Sequence, residues 1–122
     1  MGHKVMIVDD ADFMRLTLKN ILVDSEFEVI AEGKDGQEAV EKYKQLSPDI
    51  VTMDITMPGM DGLTAAKKII EFDGSANIIM VSAMGQKHIV IEAIEAGVSD
   101  FIVKPFKKDK VIKALQRSLP DN

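Results

Sequence analysis

The chain of 122 residues has no cysteine, which excludes a disulfide framework and any thiolate metal site and is compatible with the cytoplasm. It holds no apolar run near the ~18 residues that a membrane span needs. The first strand-like segment begins within a few residues of Met1, so no signal peptide is expected. No GxGxxG follows a strand-like segment, which leaves dinucleotide binding unsupported. Linkers, internal repeats and low-complexity stretches are missing too. The length fits one compact domain, expected over residues 1–122 with no effector domain. Excess positive charge is also lacking: the net charge is −5, so no default affinity for DNA or anionic lipid is expected.

The charge is unevenly spread. Residues 1–99 carry 9 basic and 17 acidic side chains, and residues 100–122 carry 6 basic and 3 acidic. A basic C-terminal stretch suits docking of an acidic partner, although a solvated helix surface is the plainer reading.

Two kinds of segment alternate. "KVMIVD" (4–9), "FEVIAE" (27–32), "DIVTMD" (49–54), "NIIMVS" (77–82) and "DFIVK" (100–104) are short, apolar and rich in β-branched residues. Most lack clean polar alternation, as do strands covered on both faces. Between them, apolar residues recur at helical spacing: Met14, Leu18, Ile21 and Leu22; Ala39, Val40, Tyr43 and Leu46; Leu63, Ala66, Ile69 and Ile70. Ile91, Ala93 and Ile94, then Val111, Ile112, Leu115 and Leu119, complete the set. Asp35 and Glu38 form a capping-box pattern, and Asp12, Asp61 and Asp109 suit N-caps of the first, third and fifth helices. Pro48 is expected to stop the second helix, and Gly97 to end the fourth in a left-handed conformation.

The pattern is five strand–helix units. Strands joined by helices run parallel with right-handed crossovers, so the fold class is α/β with the sheet between helices. Ligands of such sheets sit beyond the carboxyl ends of the strands, where the strand order reverses. Four of the five strands end there in reactive groups: Asp9 and Asp10, Asp54, Ser82, and Lys104. Three carboxylates in one partly dry crevice repel strongly, so protons or a cation must accompany them. Hard oxygen donors without histidine or cysteine point to Mg²⁺ rather than zinc. Asp54 is the central candidate, a carboxylate nucleophile able to form an acyl phosphate. Lys104 offers a point charge and Ser82 a hydroxyl to phosphoryl oxygens. Lys104 precedes Pro105, and a cis bond there would set how the lysine enters the site.

Taken in order, "IVDD", "MDITMPGMDG", "VSA" and "FIVKPF" resemble the receiver domain of two-component response regulators over essentially the whole chain. "DDADFMR", "SAMGQ" and "DFIVKPF" look most like its stand-alone chemotaxis members. The resemblance implies a flavodoxin-like (βα)5 doubly wound sandwich with strand order 2-1-3-4-5. It implies Asp54 as phosphoacceptor, and Asp9, Asp10, Asp54 and the main-chain carbonyl of Thr56 as Mg²⁺ ligands. It also implies that Ser82 and Lys104 contact the phosphoryl group, and that Ser82 and Phe101 form a switch altering the face of the fourth and fifth helices. The implied partners are a sensor histidine kinase (CheA-like), a flagellar motor switch protein that would meet "KPFKKDK", and a phosphatase. The protein is expected to be a cytoplasmic monomer that catalyses only its own phosphorylation and dephosphorylation.

Some positions depart from the family pattern. Phe101 stands where the enteric chemotaxis protein has tyrosine, Ser82 replaces the commoner threonine, and Thr56 a frequent asparagine. Positions 56 and 84 border the site and bear on dephosphorylation rate.

Plainer readings stand beside these. Asp9 and Asp10 suit the start of the first helix, Ser82 suits a local backbone bond, and Phe101 is expected in the core under either reading. Met53 and Met80 are expected in the core, with Met57, Met60 and Met84 as a pliable rim. Gly59 and Gly62 are assigned to loop geometry, and His3 and His88 are read as isolated and inert. A haloacid dehalogenase-type phosphohydrolase would need an acid where Thr56 stands. A flavodoxin's phosphate would be repelled by Asp9 and Asp10. The alternative within the family is a phosphorelay carrier or phosphate sink.

Overall fold

The computed structural model describes residues 2–119; Met1 and the polar end Pro120–Asn122 lie outside the described residues. In chain order the elements are β1 (His3–Val8), α1 (Asp12–Leu22), β2 (Phe27–Gly33), α2 (Gly36–Leu46), β3 (Ile50–Asp54), α3 (Gly62–Phe72), β4 (Ile78–Ser82), α4 (Lys87–Ala96), β5 (Asp100–Val103) and α5 (Lys108–Ser118). All neighbouring strands pair in parallel, and the order is β2-β1-β3-β4-β5. This is the flavodoxin-like arrangement expected from the resemblance.

The near-continuous apolar runs are explained by burial on both faces. β3 and β4 are buried at every residue. Alternation along them sorts side chains into two cores. Met6, Val8, Val51, Met53, Ile78 and Met80 pack with α2, α3 and α4, while Val5, Ile7, Ile50 and Ile79 pack with α1 and α5. Each fully buried Ile or Met contributes about 1.5–3 kcal/mol, so the two cores dominate stability. The edge strands β2 and β5 are more open.

Caps follow local chemistry. Asp61 Oδ1 accepts from the Thr64 amide at 2.8 Å and Asp35 Oδ1 from Glu38 at 2.8 Å, both as expected. Glu38 reaches the amide of Lys34 rather than that of Asp35, so the box closes one residue further out. Asp12 and Asp109 are not N-caps: Ala11 and Lys107 hold those positions, and both acids fall in the first helical turn. There a carboxylate still suits the helix dipole. The start of α1 is tied instead by Asp9, whose Oδ1 accepts from Ala11 at 2.9 Å. Gly97 ends α4 at φ +115°, and α2 stops at Ser47 in the left-handed region, just before Pro48.

Three residues of the helical stripes face solvent. Leu46, the last residue of α2, is exposed, as are Ile91 and Ile94. α4 turns Val90 and Ala93 to the sheet instead. It sits over the open edge at β5, where among the described residues no further strand covers its outer flank. Phe101 likewise is not core: it is 40% exposed on β5. Met57, expected at the rim, is buried in the α2–α3–α4 core, Met60 is partly buried against it, and Met84 is 80% exposed.

Candidate functional site

The parallel register places the functional residues. Asp54 follows Thr52 and Ile50 on the α1/α5 face of β3, and Asp9 continues Val5 and Ile7 on that face of β1. Lys104 follows Ile102 in the same way beyond β5. Ser82 has the opposite parity. It follows Met80 on the α4 face, and its register neighbour on β5 is Val103. Phe101 and Val103 share that face with Ser82, so the same strand ends carry two adjoining but distinct environments.

On the first face, single carboxylate oxygens of Asp9, Asp10 and Asp54 lie within 4.8 Å of one another. Asp9 and Asp54 are buried and Asp10 is exposed. Lys104 Nζ stands 3.4 Å from Asp9 Oδ2 and 3.3 Å from Asp54 Oδ1, shared between two anions. The Lys104 amide donates to the Ser82 carbonyl at 2.7 Å, and the Lys104–Pro105 bond is cis. Burial, then repulsion from Asp9, pushes the Asp54 carboxyl up to about 6, against the opposing pull of Lys104. Opposite oxygens of an octahedral Mg²⁺ at about 2.1 Å lie roughly 4.2 Å apart. The three-acid cluster is therefore of the size and donor type that such an ion takes, and its charge would relieve the repulsion.

The β3–α3 loop is held against this cluster by a close backbone approach. The Gly62 amide donates to the Ile55 carbonyl at 2.8 Å, and a Cβ on Gly62 would lie 2.0 Å from the Asp54 carbonyl oxygen. Only glycine fits there. Gly59 instead supplies a left-handed φ of +74°. Thr56 is exposed in the same loop.

The second face is apolar. A cleft of about 410 Å³ runs between α4 and β5, lined by Ser82, Met84, Ile91, Ile94, Phe101 and Val103 among others. Lys107 and Lys110 lie beyond Phe101 along a neighbouring groove toward α5.

Two residues near the acids carry structure that sequence reasoning missed. Arg15 donates to the Asp9 carbonyl at 2.6 Å and to Glu32 Oε1 at 3.0 Å, and also pairs with Asp12. Lys19 completes this network at 2.9 Å from Glu32, whose carboxyl is held below the usual range by Lys19 and Arg15. The Asp12–Arg15 spacing of three was the available signal. Gln86 had none. Its Oε1 accepts from the Ala83 amide at 2.7 Å, and its Nε2 donates to Thr56 Oγ1 at 2.9 Å.

The model of the family described as "Response regulator receiver domain" matches residues 5–116. The chain is 60% identical to the chemotaxis protein CheY of Bacillus subtilis, over 98% of this chain and 99% of that one. It is 58% identical to CheY of Thermotoga maritima, over 96% and 98% respectively. A solved CheX–CheY–BeF3–Mg²⁺ complex from Borrelia burgdorferi contains a chain of the same fold, with TM-score 0.89 and 43% identity, covering 93% of this chain and 87% of that chain.

Proposed function

Because this chain belongs to the response regulator receiver family, we propose that it is the phosphoryl-accepting switch of a chemotaxis two-component system, with Asp54 the acceptor. The observation carrying this reading is the meeting of Asp9, Asp10 and Asp54 oxygens from two strand ends with Lys104 from a third. The donor is a phosphohistidine on a sensor histidine kinase of the CheA type. An Asp54 carboxylate oxygen forms the new P–O bond as the P–N bond breaks, and the bonding pair returns to the imidazole nitrogen. The product is an acyl phosphate. Asp9, Asp10, Asp54 and the Thr56 main-chain carbonyl would hold Mg²⁺, which when bound supplies neutralising charge to the transferring group.

Lys104 faces the phosphoryl oxygens as a point charge and leaves its long contacts to the two carboxylates. The raised Asp54 pKa keeps the carboxylate basic, which favours attack once a cation has displaced its proton. As in other receivers, catalysis here is positioning and electrostatics within a signalling protein.

The switch reading uses the second face. The Ser82 hydroxyl is drawn toward the new phosphoryl group, and Phe101, now exposed, turns into the cleft beside it. That changes the apolar surface of Ile91, Ile94 and Val103; Lys107 and Lys110 line the groove next to Val103, and Lys108 is exposed between them in sequence. An acidic segment of the flagellar motor switch is the partner this surface suits, with the whole system working in the cytoplasm. Incubation with Mg²⁺ and acetyl phosphate is expected to label the wild type and not Asp54→Asn. Labelling that survives the substitution would overturn the reading. Charge reversal at Lys107, Lys108 and Lys110 is expected to weaken a motor-switch peptide without affecting labelling.

A further inference from the structure

Asp54 and Ser82 end adjacent strands, so the segments that follow them, 55–61 and 83–86, form facing walls of the crevice. One side chain ties these walls together. The Gln86 carboxamide spends its oxygen on the Ala83 amide, 2.7 Å away, and its nitrogen on Thr56 Oγ1, 2.9 Å away. It stands at the N-cap position of α4, yet it makes no side-chain bond to the helix's own amides. A glutamine there that bonds backward, to the residue after Ser82, is oriented toward the site rather than toward the helix.

The geometry points to Gln86 as a positioning residue that latches the Ser82 segment in its resting place, in competition with the phosphoryl group. This rests on the reading of Asp54 as phosphoacceptor. Ser82 moves toward Asp54 only if the peptide joining it to Ala83 moves too, and the Ala83 amide is held by Gln86. The shift therefore breaks the bond to Ala83, and the bond to Thr56 keeps the carboxamide from simply following. While latched, the Ala83 amide is occupied by a neutral oxygen; once released, it is a donor beside Ser82 at the edge of the site. Two exposed hydrogen bonds of this kind correspond together to a shift of about tenfold in a two-state equilibrium. Thr56, whose hydroxyl meets Gln86 rather than Asp54, then has a use for that hydroxyl as the far anchor.

The test titrates beryllofluoride, in the presence of Mg²⁺, into wild type, Gln86→Ala, Thr56→Val and the double variant. The amide resonances of residues 81–86 report the shift, and urea denaturation checks folding. Removing the latch is expected to lower the beryllofluoride midpoint about tenfold for Gln86→Ala and by less for Thr56→Val. The double variant should be no further displaced than Gln86→Ala, because both act on one bridge. The Ala83 amide should also lose hydrogen-exchange protection in Gln86→Ala. A midpoint that stays put or rises in Gln86→Ala while wild type responds would overturn the latch and leave the Asp54 reading standing. Wild type that gives no response, with resonances unchanged at saturating beryllofluoride, would remove both.

Discussion

Replacing Asp54 with asparagine is expected to stabilise the metal-free protein near neutral pH, by an amount that follows from the site's electrostatics. The Asp54 pKa rises from 3.8 to about 6 on folding, because the carboxylate is buried and faces Asp9. Between those values the folded chain binds more protons than the unfolded chain, so stability falls as pH rises through the window. Above pH 6 the loss is complete, and about two pKa units correspond to about 3 kcal/mol. Asparagine has nearly the same shape and no charge, so it avoids that cost. Urea denaturation in EDTA, followed by circular dichroism, should show Asp54→Asn more stable by about 3 kcal/mol at pH 7.5. The gain should be roughly half that at pH 5 and close to none below pH 3.8. Mg²⁺ at about a thousand times its dissociation constant should reverse the order, because binding to the folded wild type would then add about 4.1 kcal/mol. A variant that is destabilised at pH 7.5, or a gain that does not change between pH 7.5 and pH 4, would refute the account of the crevice as self-repelling.

Other outcomes follow from the same structure. Lys104→Met should lower the rate of labelling by acetyl phosphate about a hundredfold while leaving the fold intact, checked by radiolabel uptake and circular dichroism. Thr52→Val should raise stability by about 1 kcal/mol, because the Thr52 hydroxyl is buried with no hydrogen-bond partner among the described residues; denaturant midpoints decide it. Asp61→Ala should cost about 1 kcal/mol through loss of the Thr64 cap, measured the same way. Phe101→Ala should leave labelling unchanged and abolish the phosphorylation-dependent gain in affinity for a motor-switch peptide, read by fluorescence anisotropy of a labelled peptide.

The register of apolar runs and helical stripes was enough to place Asp9, Asp10, Asp54, Ser82 and Lys104 at one sheet edge, because parallel strands send all their carboxyl ends the same way. The weak polar alternation of most runs also pointed to strands covered on both faces, as β3 and β4 are. Where that reasoning failed, two local environments competed and only packing chose between them. Phe101 reads as core by hydrophobicity, yet β5 is an edge strand and α4 leaves a cleft over it. Ile91 and Ile94 sit on the same uncovered flank. Met57 went the other way, from an expected rim to the core, because it packs with the buried residues of α2, α3 and α4. Asp12 and Asp109 fall one or two positions inside the true caps, Ala11 and Lys107, whose extended backbone starts each helix.

What the sequence alone determined was the alternation of five apolar strands with five amphipathic helices, and the list of acids and one lysine that end those strands. Both are properties of residue type at fixed spacing. Tertiary structure decided the rest. The sheet's pleat put Asp9, Asp54 and Lys104 on one face and Ser82 with Phe101 on the other. It also brought Gln86 and Thr56, thirty positions apart, within hydrogen-bond reach. Contacts between distant positions depend on which loops the strand order sets side by side, and no local pattern carries that information.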